Sequence, residues 1–156
     1  MTQLEIIQMI AGLIGSFGFA ILYNIRGHKL LFASLGGFFS CALFIVFSKF
    51  IPSEPICYLI VAILISVYSE IFARVLKTPT TTFIIISLIP LIPGSSLYYT
   101  MSSAFSGNTE MFLNKAIITL ELASALAIGI ILVTAISQFI NKIRSNRDVK
   151  SQDVKH

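Results

Sequence analysis

The stretch that decides the fold is Leu88-Ile89-Pro90-Leu91-Ile92-Pro93-Gly94-Ser95-Ser96-Leu97-Tyr98-Tyr99-Thr100-Met101. It lies inside a long apolar run, yet it contains two prolines three residues apart and a glycine. Within a helix, each proline removes a backbone donor and clashes with the carbonyl four residues earlier, at a cost of about 3 kcal/mol or more. A lipid-facing segment cannot leave the freed carbonyls of Ile86 and Ile89 unpaired. The stretch therefore has to be buried in protein or has to line a polar cavity.

The composition indicates a membrane protein. Of the 156 residues, 56% are hydrophobic and 12% are charged, whereas a soluble domain carries roughly 25% charged residues. Several apolar runs exceed the ~20 residues that a helix needs to cross a bilayer. The sequence therefore predicts an all-α integral membrane protein in contact with the lipid bilayer.

The polar residues exclude several other function classes. The formal charge of +4 would suit a nucleic-acid binder, but the basic residues lie in short loops and a tail between apolar runs, a pattern that sets membrane orientation. No nucleic-acid partner is expected. Cys41 and Cys57 form no Cys-x-x-Cys pair, and His28 and His156 are the only histidines. We therefore expect no metal, no cofactor and no catalytic triad, and the chain is not predicted to be an enzyme.

The apolar runs predict five transmembrane helices, with residues 1–140 as a single transmembrane domain and 141–156 as a short basic cytoplasmic tail. The fourth is expected to begin at Pro79, with Thr78 as its N-cap, because proline at the first helical position loses only an unpaired donor. It is broken at Pro-x-x-Pro-Gly. Residues 105–114 are expected to form a polar loop. The other four spans are predicted at about Leu4–Ile25, Leu30–Ile51, Ile56–Leu76 and Ala116–Ile140.

Five spans place the two termini on opposite sides of the membrane. Nine of the eleven Lys and Arg residues then share one side, and the positive-inside rule makes that side cytoplasmic. We therefore expect a multi-pass protein of the cell (inner) membrane with its N-terminus outside and its C-terminus in the cytoplasm. The nine residues are Arg26, Lys29, Arg74, Lys77, Lys142, Arg144, Arg147, Lys150 and Lys155.

The break suggests a ligand site at mid-membrane. Pro90 lies roughly 16 Å along a helix that begins at Pro79, which is about half of a ~30 Å hydrocarbon core. Ser95 and Ser96 can cap a new half-helix beginning at Ser95, whose free N–H groups and dipole attract anions. Transporters with discontinuous helices hold substrate carboxylates in this way. The alternative is a kinked structural helix whose neighbours satisfy the broken backbone. The predicted substrate-binding residues are Pro90, Pro93, Gly94, Ser95, Ser96 and Tyr98.

Two acidic residues within the spans are candidates for proton coupling. Glu121 either faces a polar cavity or lies solvated in the outer interface. Glu70 precedes Arg74 by four residues, so the two can instead form a structural ion pair on one helix. Ser16 and Ser66 are interpreted as packing residues or as residues hydrogen-bonded to their own helix.

The stretch from Ser69 to Met101 resembles the threonine/serine exporter family. The similarity is carried by Ile89-Pro90-Leu91-Ile92-Pro93-Gly94, by Leu97-Tyr98-Tyr99-Thr100-Met101, and by the preceding Ser69-Glu70-Ile71-Phe72-Ala73-Arg74. It is closest to the family's small stand-alone subunit that corresponds to the C-terminal half. The resemblance implies a two-component exporter of threonine and serine or of dicarboxylates such as succinate, in which a larger membrane subunit supplies the N-terminal half.

Two functions from different classes follow. The first is a subunit of a secondary exporter for small carboxylate-bearing metabolites, acting with the larger subunit or as a homo-oligomer. The second is a structural membrane subunit that stabilises a transporting partner without binding substrate. Protection of residues 95 and 96 by substrate would distinguish them.

Overall fold

The computed structural model describes the backbone of residues 3–153 and the side chains of residues 3–143. Every regular element in this part of the chain is helical. A short 3₁₀ turn, Ile89–Leu91, separates the fourth helix from the fifth. The helices are α1 (Gln3–Leu22), α2 (His28–Phe50), α3 (Glu54–Val75), α4 (Thr80–Leu88), α5 (Gly94–Phe105) and α6 (Thr109–Asp153). The side chains of Arg144, Arg147 and Lys150, and all of Lys155, lie outside the described part.

The predicted membrane architecture is confirmed. Four helices, α1, α2, α3 and α6, are long and apolar enough to cross a membrane. The segments Thr80–Leu91 and Gly94–Phe105 are long and apolar enough only as a pair, bent by 61° at the double proline, and the number of spans is five if this pair counts as one. The fourth predicted span is therefore broken where the sequence indicated.

The two ends of the bundle are identified by contacts between successive helices. At one end, the Nζ of Lys49 lies 2.8 Å from a carboxylate oxygen of Glu5, which joins the end of α2 to the start of α1. We call this end the N-terminal face. At the opposite face, a fully buried apolar cluster joins the end of α1 to the neighbouring ends of α2, α3 and α4. Its members are Ala20, Ala33, Ala73, Phe83 and Ile86.

Helices α3 and α6 run parallel in a fixed register. A Cβ built on Gly129 would lie 2.7 Å from the Cβ of Ala62, so the two backbones approach closely there. Two turns further on, the Ser137 hydroxyl donates to Glu70 over 2.7 Å. Small residues permit such close packing in lipid, where association depends on van der Waals contact. In each pair the two residues are 67 positions apart in the sequence. By the same offset, Glu54 at the start of α3 lies level with Glu121 on α6.

Two predicted helix starts are wrong. Helix α4 begins at Thr80 with Pro79 as its N-cap, and the Thr78 hydroxyl donates to the Leu76 carbonyl at 3.1 Å instead of capping α4. After α3 ends at Val75, Lys77 takes a positive φ of 49°, and the Thr78 N–H donates back to the Ala73 carbonyl at 2.9 Å. Helix α5 begins at Gly94, one residue earlier than predicted, and no side chain caps it.

The predicted polar loop after the fourth span is also shorter than expected. Helix α6 begins at Thr109, because the Asn108 side chain caps it by accepting from the Met111 N–H at 3.1 Å. Asparagine is among the strongest N-cap residues. Only residues 106–108 remain between α5 and α6. At its other end, α6 continues through the predicted domain boundary at residue 140 to Asp153.

Candidate functional site

The broken backbone at the double proline is satisfied from within the protein. Pro90 leaves the Ile86 carbonyl without its helical donor, and the hydroxyl of Ser16 on α1 donates to that carbonyl at 3.1 Å. The second freed carbonyl, that of Ile89, accepts from the Ile92 N–H at 3.2 Å within the 3₁₀ turn. On the side that faces α1, the broken stretch is therefore buried in protein, as expected.

Ser16 fits one of the two interpretations made from the sequence, that of a packing residue, and not the other. It is fully buried and bonds across to α4, not to its own helix. Room for this bond comes from Gly37 on α2, where an added Cβ would overlap the Ser16 hydroxyl and come within 2.5 Å of its Cβ. The signal in the sequence was the pair Gly36-Gly37, because adjacent glycines in a membrane helix mark the place where other helices come close.

Ser87 occupies the equivalent position beside Gly36. A Cβ on Gly36 would overlap the Ser87 hydroxyl and lie 2.8 Å from the Ser87 Cβ. The hydroxyls of Ser66, Ser69 and Ser87 are buried and have no hydrogen-bond partner among the described residues. For Ser66 the expected bond to its own helix is absent, although its burial fits a packing residue. Between the break and the opposite face, α1, α2 and α4 therefore pack tightly on one another through serine and glycine residues.

On the other side of the break lies a cavity of about 440 Å³. Residues of α1, α2 and the 3₁₀ turn line it, together with Tyr58 of α3. None of the lining residues carries a charge. Pro90 is the one predicted site residue that borders it, and the sequence analysis missed the polar residues Gln8 and Tyr58. The lining includes Gln8, Gly12, Gly15, Cys41, Tyr58 and Pro90.

The other predicted binding residues lie apart from this cavity. Pro93 is buried, but Gly94 and Ser95 are exposed, Ser96 is half-buried, and 69% of Tyr98 is exposed. The first regular helical bond of α5 joins the Leu97 N–H to the Pro93 carbonyl at 3.0 Å. The N–H groups of Ser95 and Ser96 consequently stand outside the helical ladder, as at any uncapped helix start. They face away from the chain's own core.

Glu70 and Arg74 form the expected pair and acquire a third member. The Arg74 guanidinium lies 3.4 Å from a Glu70 carboxylate oxygen and donates to the Ser137 hydroxyl at 2.6 Å. Ser137 in turn donates to the same Glu70 oxygen at 2.7 Å. The Glu70 side chain is only 15% exposed. This network fastens α3 to α6 near the opposite face, and Ser137 is a partner that sequence spacing on α3 does not reveal.

Glu121 lies far from Glu70, near the N-terminal face. It is exposed on α6 beside a shallow groove formed with Pro55, Ile56 and Leu59 from the first turns of α3. The two candidate coupling residues and the predicted binding residues therefore do not form one cluster within a single chain.

Comparison with known proteins gives one match. The family model described as threonine/serine exporter, ThrE, matches residues 8–136. This range includes the cavity, the double proline and the network at Glu70. No curated protein and no solved structure gave a match.

Proposed function

The chain belongs to the threonine/serine exporter family, and from this membership we propose that it is a subunit of a secondary exporter for small carboxylate-bearing metabolites. The cargo is threonine and serine or a dicarboxylate such as succinate. The subunit works with a larger membrane subunit in the cell (inner) membrane, with its C-terminus in the cytoplasm. The sequence contains no Gly-x-x-x-x-Gly-Lys phosphate-binding motif, so a proton or substrate gradient drives export.

The observation that carries this proposal is the broken fourth span. The bend of 61° separates α5 from α4, so that α5 begins with unpaired N–H groups inside the membrane-crossing segment. A helix start of this kind attracts carboxylates through its donors and its dipole. The substrate carboxylate binds at Gly94, Ser95 and Ser96, beside Pro93, and the Tyr98 hydroxyl supplies a further hydrogen bond.

The exposure of that helix start supports a second subunit. Gly94 and Ser95 are exposed and α5 packs mainly on α6, where Thr100 and Thr119 share a hydrogen bond of 3.0 Å. Glu54, at the start of α3, lies level with Glu121 on α6, and α6 begins twelve residues earlier, at Thr109. Twelve helical residues correspond to a rise of roughly 18 Å. The α5–α6 hairpin therefore extends past α3, and a neighbouring subunit or a second copy is needed to enclose the carboxylate site.

Proton coupling is assigned to the two acidic candidates. Glu70 is largely buried and hydrogen-bonded between α3 and α6, so protonation would remove the negative charge that Arg74 and Ser137 contact. Glu121 is exposed on α6 near the N-terminal face. It takes part in proton coupling only if the larger subunit covers it. Export measured in Glu70→Gln and Glu121→Gln variants over a pH series separates the two.

The test of the proposal is metabolite release from cells that express the chain and the larger subunit, together and singly. Gly94→Leu is the decisive variant, because an added Cβ at Gly94 meets nothing within 4 Å in this chain. The same is true of Gly18, so Gly18→Leu is the matched control. We expect Gly94→Leu to abolish export at normal protein level while Gly18→Leu retains it. Full export by Gly94→Leu would refute the carboxylate site.

A specific observation also favours the structural alternative. The outer surface of α5 is largely apolar and exposed, with Tyr98 69% and Phe105 85% exposed, as expected of a helix that only docks on a partner. Cysteines placed at Ser95 and Ser96 distinguish the two functions. Saturating substrate slows their modification if the site binds cargo and leaves the rate unchanged if α5 is only a docking element.

A further inference from the structure

The cavity beside Pro90 lies within one half of the membrane. Its inner end is the 3₁₀ turn, which the fourth span carries at about mid-membrane. Gln8 lines its outer end, and Glu5, one turn earlier on α1, pairs with Lys49 at the N-terminal face. Lys49 follows the lining residue Cys41 by eight residues, a rise of about 12 Å, which is close to half of a ~30 Å hydrocarbon core. The cavity therefore has the depth of a single lipid leaflet.

The cavity is closed towards the protein core and open between two helices. Towards the opposite face, the Ser16–Ile86 hydrogen bond and the fully buried Phe83 fill the space between α1, α2 and α4. Helices α1 and α3 both pack closely on α2, whereas no comparable contact joins α1 to α3 in the described part of the chain. At this depth the bilayer contains no water, so the gap between α1 and α3 meets lipid acyl chains.

The lining suits hydrocarbon better than a charged molecule. None of the lining residues carries a charge, and the rings of Phe44 and Tyr58 pack on each other there with centroids 4.8 Å apart. An ion or a zwitterion would lose its hydration without a charged partner, which is costly. Gly15 widens the cavity, since an added Cβ would meet nothing within 4 Å. The volume of about 440 Å³ is about three times that of an apolar cavity of ~150 Å³ that holds one benzene molecule, which is room for one acyl chain.

We propose that one acyl chain of a phospholipid, from the leaflet at the N-terminal face, occupies this cavity with the lipid phosphate at the ammonium group of Lys49. The Lys49 side chain is 50% exposed and that of Glu5 is 17% exposed, so the ammonium is the more accessible member of the pair. Long basic side chains place their charge at the level of the head groups while their stems cover apolar surface. The lipid thus meets a cation at its head and an uncharged lining along its chain.

A transmembrane helix of another subunit fits this cavity less well. The cavity stops at the Ile89–Leu91 turn, whereas a helix of ~20 residues needs a groove through both leaflets. The lipid site is also separate from the carboxylate site, because Gly94 is exposed beyond the break and does not line the cavity. Lipid occupancy and export can therefore fail independently.

Depth-resolved photolabelling of the full chain tests the site. The protein is reconstituted in phosphatidylethanolamine vesicles that contain a trace of phosphatidylethanolamine with a diazirine either near the ester or at the end of one acyl chain. Mass spectrometry of peptides locates the label after photolysis. We expect the probe near the ester to label the peptide with Gln8, and the chain-end probe to label those with Cys41 and Pro90. Label spread evenly over the exposed faces of α1, α3 and α6, or the reverse order of depth, would overturn the proposal.

Two glycines on α1 provide a matched pair of variants. A Cβ at Gly15 or at Gly18 meets nothing within 4 Å, but only Gly15 lines the cavity. Gly15→Leu should reduce chain-end labelling of the Cys41 peptide about tenfold, because its side chain takes the space of the acyl chain, and Gly18→Leu should leave it unchanged. Ala11→Leu, at an exposed position that also lines the cavity, repeats the test if Gly15→Leu does not fold. Undiminished labelling in a folded, cavity-filled variant would refute the site.

The head-group contact is tested at Lys49. Lys49→Gln should lower labelling by the phospholipid about fivefold, and Lys49→Arg should retain it. A diacylglycerol with the same diazirine has no phosphate and should label the wild type and Lys49→Gln equally. No response of the phospholipid, or an equal loss with diacylglycerol, would reject the phosphate contact. Cross-linking of two copies through Cys41 by a bismaleimide, in place of lipid labelling, would show that a second copy fills the cavity and would overturn the proposal.

Discussion

The hydrogen bond between Ser16 and the Ile86 carbonyl exists because Pro90 has no N–H, and this dependence can be measured. Replacing Ser16 by alanine removes the donor and leaves a fully buried carbonyl unpaired. Unpaired buried groups cost about 1–3 kcal/mol in proteins generally. Hydrogen bonds between membrane helices average about 0.6 kcal/mol, with a maximum near 1.7. We therefore expect Ser16→Ala to lower the free energy of unfolding by about 1 kcal/mol.

The informative measurement is the same substitution in a Pro90→Ala background. Alanine at position 90 restores an N–H four residues after Ile86, so the carbonyl regains a helical donor and no longer depends on Ser16. Ser16→Ala should then cost little, and the double-mutant cycle should give a coupling energy of about 1 kcal/mol. Reversible unfolding in mixed detergent micelles at fixed composition measures all four proteins. Ser40→Ala is the control, because that buried hydroxyl donates within α2 to Gly37 at 2.9 Å. Strictly additive effects of Ser16→Ala and Pro90→Ala would refute the reasoning.

Two further outcomes follow from packing and hydrogen bonding. Gly37→Ala should destabilise the protein by about 1–3 kcal/mol, because the added methyl overlaps Ser16, whereas Gly18→Ala meets no atom within 4 Å and should be neutral or stabilising in the same unfolding assay. Ser137→Ala should cost about 1 kcal/mol and speed hydrogen exchange in α6 near residue 137. If Ser137→Ala changes neither the free energy of unfolding nor the exchange rate, the α3–α6 contact does not depend on this network.

The overall architecture was predictable because it depends on features that are local in the sequence. The apolar length of α1, α2 and α3 requires membrane helices, and the double proline is incompatible with a continuous fourth span. These features do not depend on knowing which helices are neighbours. The same holds for the Glu70–Arg74 pair, whose members lie on one helix.

Helix ends and the polar partners were less predictable. Thr78, Ser95 and Ser96 are good N-cap residues by type, yet none of them caps a helix, because the backbone at Lys77 and at Pro93 directs the chain differently. Ser16 and Ser137 act on helices distant in sequence, 70 and 67 residues away. Only the tertiary arrangement, and not any spacing along α1 or α6, determines those distances.

The two prolines have separate consequences, and this separation explains why the candidate residues divide into two groups. Pro90 frees a carbonyl that draws α1 against α4, and the resulting contact seals the bundle beneath the uncharged cavity. Pro93 ends the 3₁₀ turn and starts α5 in a new direction, with its first donors on the outside of the chain. A single proline at position 90 would kink the span but would leave the start of α5 within the helical ladder. A single proline at position 93 would leave Ile86 paired within α4 and would give Ser16 no acceptor. The double proline therefore links a closed contact inside this chain to an open helix start on its surface, and a movement of α1 away from α4 would alter both.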